Sequence, residues 1–167
     1  MASSDNPAER AQTRDPKEQE KLTAAVIEMF EHKIRFNEFL GFEVGALTAE
    51  KVEISFAMRD ELIGHFLYGR LHGGVIATVL DATGGLAVMW GLTLAHQQET
   101  AKETLHRFAQ LGTIDLRVDY LRSGIGERFT ASSEVVRLGR RIATTRMTLT
   151  NETGREIAIA SGSYILS

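Results

Sequence analysis

Hydrophobic and polar positions alternate along this chain in three distinct rhythms. Leu22, Val26, Met29 and Phe30 recur at helical spacing, with Glu28, Glu31 and Lys33 off that face, which predicts an amphipathic helix over 18–35. Phe36, Phe39, Leu40 and Phe42 surround Gly41, a helix stop that leads into a first strand over 42–47. Val52, Ile54, Phe56 and Met58 alternate with Glu53, Ser55 and Ala57 in a second strand, joined to the first by a hairpin across 48–51. Residues 59–71 read as a loop, and 96–110 as a polar stretch with a short surface helix carrying Leu105 and Phe108. Beyond Gly112 the period is two: one strand runs from Ile114 to Tyr120, and three more span 128–138, 142–151 and 155–166. The turns between them fall at Gly124 and Gly126, at Gly139 and at Gly154.

The third rhythm is continuous apolarity. From Val75 to Ala95 the only formally charged side chain is Asp81, and a lone buried carboxylate costs several kcal/mol unless it is paired or hydrogen-bonded. The stretch is long enough to span a bilayer, but Gly84, Gly85 and Gly91 dilute it, and a charge at mid-span costs roughly 3 kcal/mol on insertion scales. A helix apolar all round belongs equally at the centre of a globular fold. We therefore expect no membrane span. One helix, two strands, a buried helix and four strands give an α+β class, an antiparallel sheet wrapped around a central helix. A second copy of the chain is expected to cover the sheet edge left open.

Length and composition fit one domain. The 167 residues are 43% hydrophobic and 25% charged, with net charge −3. Residues 1–17 are expected to be a disordered tail lacking the apolar core of a signal peptide, and 18–167 a single domain. The absence of cysteine excludes thiolate nucleophiles, disulfides and Cys-ligated zinc, and fits the cytoplasm. No Gly-x-Ser-x-Gly elbow, His-Glu-x-x-His pair or complete dinucleotide fingerprint is present. Beyond its arginines the chain carries nothing that points to nucleic acid.

Gly74, Ala77, Thr78, Gly84, Gly85 and Val88 surround Asp81 on a helical wheel, so its face is small. The paired glycines read either as helix packing and bending or as a cleft beside an acid or base. The helix begins near Gly73, where free N–H groups and the helix dipole favour developing negative charge. Glycine at positions 73 and 74 lets a carbonyl oxygen approach those groups.

Leu71-His72-Gly73-Gly74 with Asp81, the run from Gly112 to Arg122, and Gly126-Glu127-Arg128-Phe129-Thr130-Ala131 together resemble the hotdog-fold acyl-CoA thioesterases of the PaaI-like type, in particular their YigI-type branch. The resemblance spans about residues 27–164 and has the same order of elements. It implies that Asp81 is a general base or nucleophile at the thioester carbonyl, and that Gly74, beside Gly73, polarises that carbonyl. It implies that Thr113 orients the water or the acid, and that His72 either bonds the thioester or braces its loop. Related enzymes often carry Asn in the preceding loop, where this chain has Gly64-His65-Phe66, so His65 is a candidate for the same bond. Ser123 stands where that branch usually has proline. The resemblance also implies a site drawn from two subunits of a homodimer, which can pair again as a dimer of dimers, and no metal or redox cofactor.

CoA carries phosphates, and between Gly112 and Arg146 the arginines at 117, 122, 128, 137, 140, 141 and 146 outnumber Asp115, Asp119, Glu127 and Glu134. Arg122 and the Gly139-Arg140-Arg141 hairpin, where the family makes CoA contacts, are the expected phosphate binders, against the alternative of a solvated strand face. The acyl pocket is expected along Val79, Val88 and Met89. These expectations combine into hydrolysis of medium- to long-chain acyl-CoA to fatty acid and CoA. The competing readings are a hotdog hydroxyacyl-thioester dehydratase using His72 with Asp81, and a non-catalytic acyl-CoA-binding or sensor module.

Overall fold

The computed structural model describes residues 14–166; the expected tail before Arg14 lies outside them. Helix α1 spans Pro16–Glu28, two residues ahead of the expected start, because Asp15 caps it by accepting hydrogen bonds from the N–H groups of Lys17 and Glu18, and Pro16 sits in its first turn. Leu22 and Val26, one turn apart, are buried.

The helix does not run unbroken to Arg35. A π-helical turn occupies Met29–Lys33, Ile34 is extended, and a short α2 spans Arg35–Leu40. The widened turn is closed by the Ile34 N–H, which donates to the Met29 carbonyl at 3.0 Å. It buries Phe30 and lets the Glu31 carboxylate accept from the Val44 N–H at 2.7 Å, tying the turn to the first strand. Such tertiary contacts override a helical period that continues undisturbed in the sequence. Gly41 ends α2 in the left-handed region at φ 69°.

Strands β1 (Glu43–Leu47) and β2 (Val52–Ala57) form the expected hairpin, its turn closed by Thr48 and Lys51. The stretch read as a loop contains a 3-10 turn at Asp60–Leu62 and a small hairpin of β3 (Ile63–His65) and β4 (Arg70–Leu71). Helix α3 spans Gly73–Ala95 and α4 Ala101–Phe108, the latter begun by a reciprocal cap between Thr100 and Glu103. Strands β5 (Gly112–Tyr120), β6 (Arg128–Leu138), β7 (Ile142–Asn151) and β8 (Glu156–Ile165) follow the period-two pattern.

Six strands make one antiparallel sheet in the order β1-β2-β6-β7-β8-β5. Its concave face receives α3, which contacts β2, β5, β6, β7 and β8. This is the hotdog arrangement. Although α3 is long and apolar enough to cross a membrane, Val79, Leu80, Leu86 and Val88 are fully enclosed by the protein.

Two packing details fix α3 in place. Arg14 is buried against its C-terminal end, donating to the carbonyls of His96 (2.8 Å) and Glu99 (2.9 Å) and to Thr104 Oγ1 (3.0 Å). At mid-helix, Gly84 admits the Tyr164 side chain of β8: a Cβ at position 84 would lie 2.1 Å from the tyrosine oxygen and 2.9 Å from Cζ. Packing is thus one of the two readings of the paired glycines, and it holds for Gly84. Gly85, whose added Cβ would meet only ordinary contacts at 3.9 Å, instead borders a cleft.

Arg14→Ala should cost about 2 kcal/mol by stranding buried carbonyls, lowering the thermal midpoint by roughly 4–8 °C. Gly84→Ala gains about 1 kcal/mol of helix propensity but overpacks Tyr164 at a cost of roughly 1–3 kcal/mol. Its denaturant midpoint is expected below that of the wild type; an equal or higher midpoint contradicts the close approach.

Candidate active site

The N-terminus of α3 is built by its own cap. His72 is exposed, its backbone carbonyl accepts from Val75 and Ile76, and its Nδ1 accepts from the Gly74 N–H at 2.9 Å. Gly64 packs against it so closely that a Cβ there would lie 2.4 Å from the His72 Cα. The Tyr120 hydroxyl donates to the Gly73 carbonyl at 3.0 Å. In this protomer, therefore, the N–H expected to polarise a substrate carbonyl is held by the neighbouring imidazole. His65 belongs to the same loop region: its ring stacks on Phe66 at 5.5 Å, leans on Tyr68 at 4.8 Å, and accepts through Nδ1 from the Leu67 N–H.

Asp81 lies seven residues further along α3, about 10.5 Å at 1.5 Å per residue. It is half-buried. Thr113 and Tyr164, paired directly across the β5–β8 ladder, both point at it: the Thr113 hydroxyl donates to Asp81 Oδ1 at 2.9 Å, and the Tyr164 hydroxyl lies 3.3 Å from the same oxygen and 3.1 Å from the Asp81 carbonyl. Burial and the adjacent Asp81 charge push the Tyr164 hydroxyl well above the ordinary tyrosine range, so it remains a donor. The carboxylate thus has hydroxyl partners in place of the cation that a salt bridge would supply.

A cleft of about 260 Å³ opens beside this group. Asp81, Thr113 and Tyr164 border it, facing an apolar wall of Phe30, Ile34 and Leu111, with Asn37 also on its rim. Val79, Val88 and Met89, the expected acyl wall, are buried and do not border this cleft. Its apolar side comes instead from the N-terminal helical segment and Leu111. Neither that segment nor Tyr164 was marked by the sequence, where both read as ordinary core. Gly84 was the available signal, since a glycine mid-helix asks for a close neighbour.

The arginines separate. Arg128 pairs with Glu43, Arg146 with Glu134 and Arg117 with Asp119, the solvated strand-face reading. Arg122 donates to the Glu156 carbonyl at 3.1 Å, bracing the end of β5. Arg140 and Gly139 instead border a cleft of about 530 Å³ with His96, Arg107 and Arg137 at the C-terminal end of α3. Fourteen residues separate Asp81 from Ala95, about 21 Å along the helix, so one protomer does not bring the Arg140 end and the carboxylate together. The Arg141 carbonyl accepts from the Leu166 N–H. Among the described residues, no group of three or more His, Cys, Asp or Glu side chains is placed to hold a metal ion.

Known proteins are similar to this chain in sequence and in fold. Residues 68–158 match the family model described as the thioesterase superfamily. The Escherichia coli medium/long-chain acyl-CoA thioesterase YigI is 39% identical over 147 residues, 88% of this chain and 95% of that protein. A Shewanella oneidensis protein related to the thioesterase superfamily superposes with a TM-score of 0.85 at 41% identity, covering 92% of this chain and 99% of that one. Mouse thioesterase superfamily member 2, at 21% identity and a TM-score of 0.68 over 87% of this chain and 98% of its own, shares the fold. Pattern, fold and family model agree, and the chain belongs to the thioesterase superfamily.

Proposed function

We propose that this protein hydrolyses medium- to long-chain acyl-CoA to the free fatty acid and CoA, as a PaaI-like enzyme of the cytoplasm whose site is completed by a second copy of the chain. The observation that carries this reading is the Asp81 carboxylate, held through Oδ1 by Thr113 and Tyr164 and opening on a cleft with an apolar wall. Among the described residues its Oδ2 accepts no hydrogen bond, leaving that oxygen to take a proton from water or to attack as the nucleophile.

In the base route, the water oxygen bonds to the thioester carbon as its proton passes to Asp81. The carbonyl oxygen becomes an oxyanion, which then collapses, breaks the C–S bond and releases CoA as thiol once the proton is returned. Donors for that oxyanion are needed about 3 Å away. Gly73 and Gly74 of the same helix lie about 12 and 10.5 Å from Asp81 along its axis, so the polarising helix start comes from a partner. His72 must then share or release the Gly74 N–H as the carbonyl arrives. A dimer also answers the nine-residue edge strand β5, which leaves one side unpaired beside exposed Ile114, Tyr120 and Leu121. Pairing of dimers into a tetramer is the next level of the same assembly.

The basic cleft with Arg137 and Arg140 suits the phosphates of CoA, which the pantetheine arm keeps far from the thioester. Arg141, next to Arg140 in the hairpin, is proposed for the rim of that interaction, whereas Arg122 stays with the Glu156 carbonyl at the far end of the sheet. His65 braces its loop in this reading. A dehydratase needs an imidazole beside the acid, whereas the partners of Asp81 in the protomer are hydroxyls.

CoA-thiol release from saturated acyl-CoAs of short to long chain tests this directly. Wild type should turn over medium and long chains. Asp81→Ala should lose at least about a hundredfold in kcat, the lower end of a general base's contribution, with its melting temperature retained. Saturable binding without turnover by the wild type would favour the acyl-CoA-binding module instead, and full activity in Asp81→Ala would remove the residue from the mechanism.

A further inference from the structure

We propose that Tyr164 is a positioning residue for thioester hydrolysis: its hydroxyl, with that of Thr113, holds Asp81 by Oδ1 so that Oδ2 is presented to the cleft. This rests on the reading of Asp81 as base or nucleophile.

The geometry distinguishes this role from packing. An aromatic ring filling the core needs no hydroxyl, yet here the hydroxyl end, not the ring edge, makes the closest approach to the helix: the site of a Gly84 Cβ is 2.1 Å from the oxygen and 2.9 Å from Cζ. On the other side the ring lies over Gly162, where a Cβ would be 3.0 Å from both Cε2 and the oxygen. Two glycines, one on α3 and one on β8, thus shape a slot around one phenol.

Thr145, buried on β7, closes the same slot: its Oγ1 would lie 3.1 Å from a Gly84 Cβ, and its hydroxyl donates to Met147 Sδ at 3.0 Å. The Tyr164 hydroxyl therefore faces Asp81, 3.1 Å from its carbonyl and 3.3 Å from Oδ1, and meets Thr113 from β5 at that carboxylate oxygen. Tyr164 is 1% exposed, so water does not compete for that donor. A carboxylate gripped by two donors from adjacent strands has one orientation of its plane, and such orientation is realised in the rate more than in substrate binding.

Kinetics of Tyr164→Phe, Thr145→Val, the double variant and Asp81→Ala on a medium-chain acyl-CoA, with melting temperatures, test the assignment. Tyr164→Phe should lower kcat by roughly ten- to a hundredfold while KM stays within about twofold. Thr145→Val, a change in the same slot that leaves both hydroxyl contacts to Asp81 in place, should keep kcat within about twofold, alone and on top of Tyr164→Phe. A wild-type kcat in Tyr164→Phe beside an inactive Asp81→Ala overturns the proposal and leaves the base assignment standing. So does a loss in Thr145→Val as large as that in Tyr164→Phe, which would mark packing of the slot as the cause. Full turnover in Asp81→Ala is the distinct outcome that removes the base assignment, and this proposal with it.

Discussion

Everything in this molecule is arranged around one carboxylate in an apolar helix. Asp81 sits midway along α3, whose neighbouring turns are buried against five strands, and a charge in such surroundings must find partners or stay wet. It does both. The side chain is half-buried at a cleft, and its inner oxygen is met by hydroxyls from two neighbouring strands. Hydroxyl donors satisfy the charge without neutralising it, which a lysine or arginine at the same distance would do.

That requirement propagates outward. For Thr113 and Tyr164 to face the same helix position, β5 and β8 must pair in register, which they do as direct cross-strand neighbours. For the Tyr164 hydroxyl to reach the helix, position 84 must lack a side chain. The N-terminal segment must also break its helix, because an uninterrupted helix over 18–35 would not both bury Phe30 and dock Glu31 on β1. The π turn and the short α2 that follow it bring Ile34 and Asn37 to the cleft.

The protomer alone separates its chemistry. The helix start lies two turns from Asp81, and the Arg140 cleft lies at the opposite end of α3. A single rigid helix cannot fold back to unite its ends. Among the described residues β5 ends the sheet, with Ile114, Tyr120 and Leu121 exposed beside it. The second copy proposed above would answer both features.

The sequence by itself determined the order of the main strands and of the central helix, and the class of fold, because period-two and apolar runs after Gly73 are strong and local. It also marked Asp81 as a lone charge in an apolar stretch, while the resemblance supplied Thr113. It did not disclose Tyr164, which as one aromatic at an inward position of a strand is indistinguishable from core. Nor did it disclose that Phe30, Ile34 and Leu111 would line the cleft while Val79, Val88 and Met89 would not. Periodicity reports which face of an element is apolar but not what that face meets. Which residue fills the space left by Gly84, which arginines pair along the sheet and which remain for an anion, and where a helix widens by one residue are settled by register and distance between segments far apart in the chain. Those distances exist only once the sheet has closed around the helix.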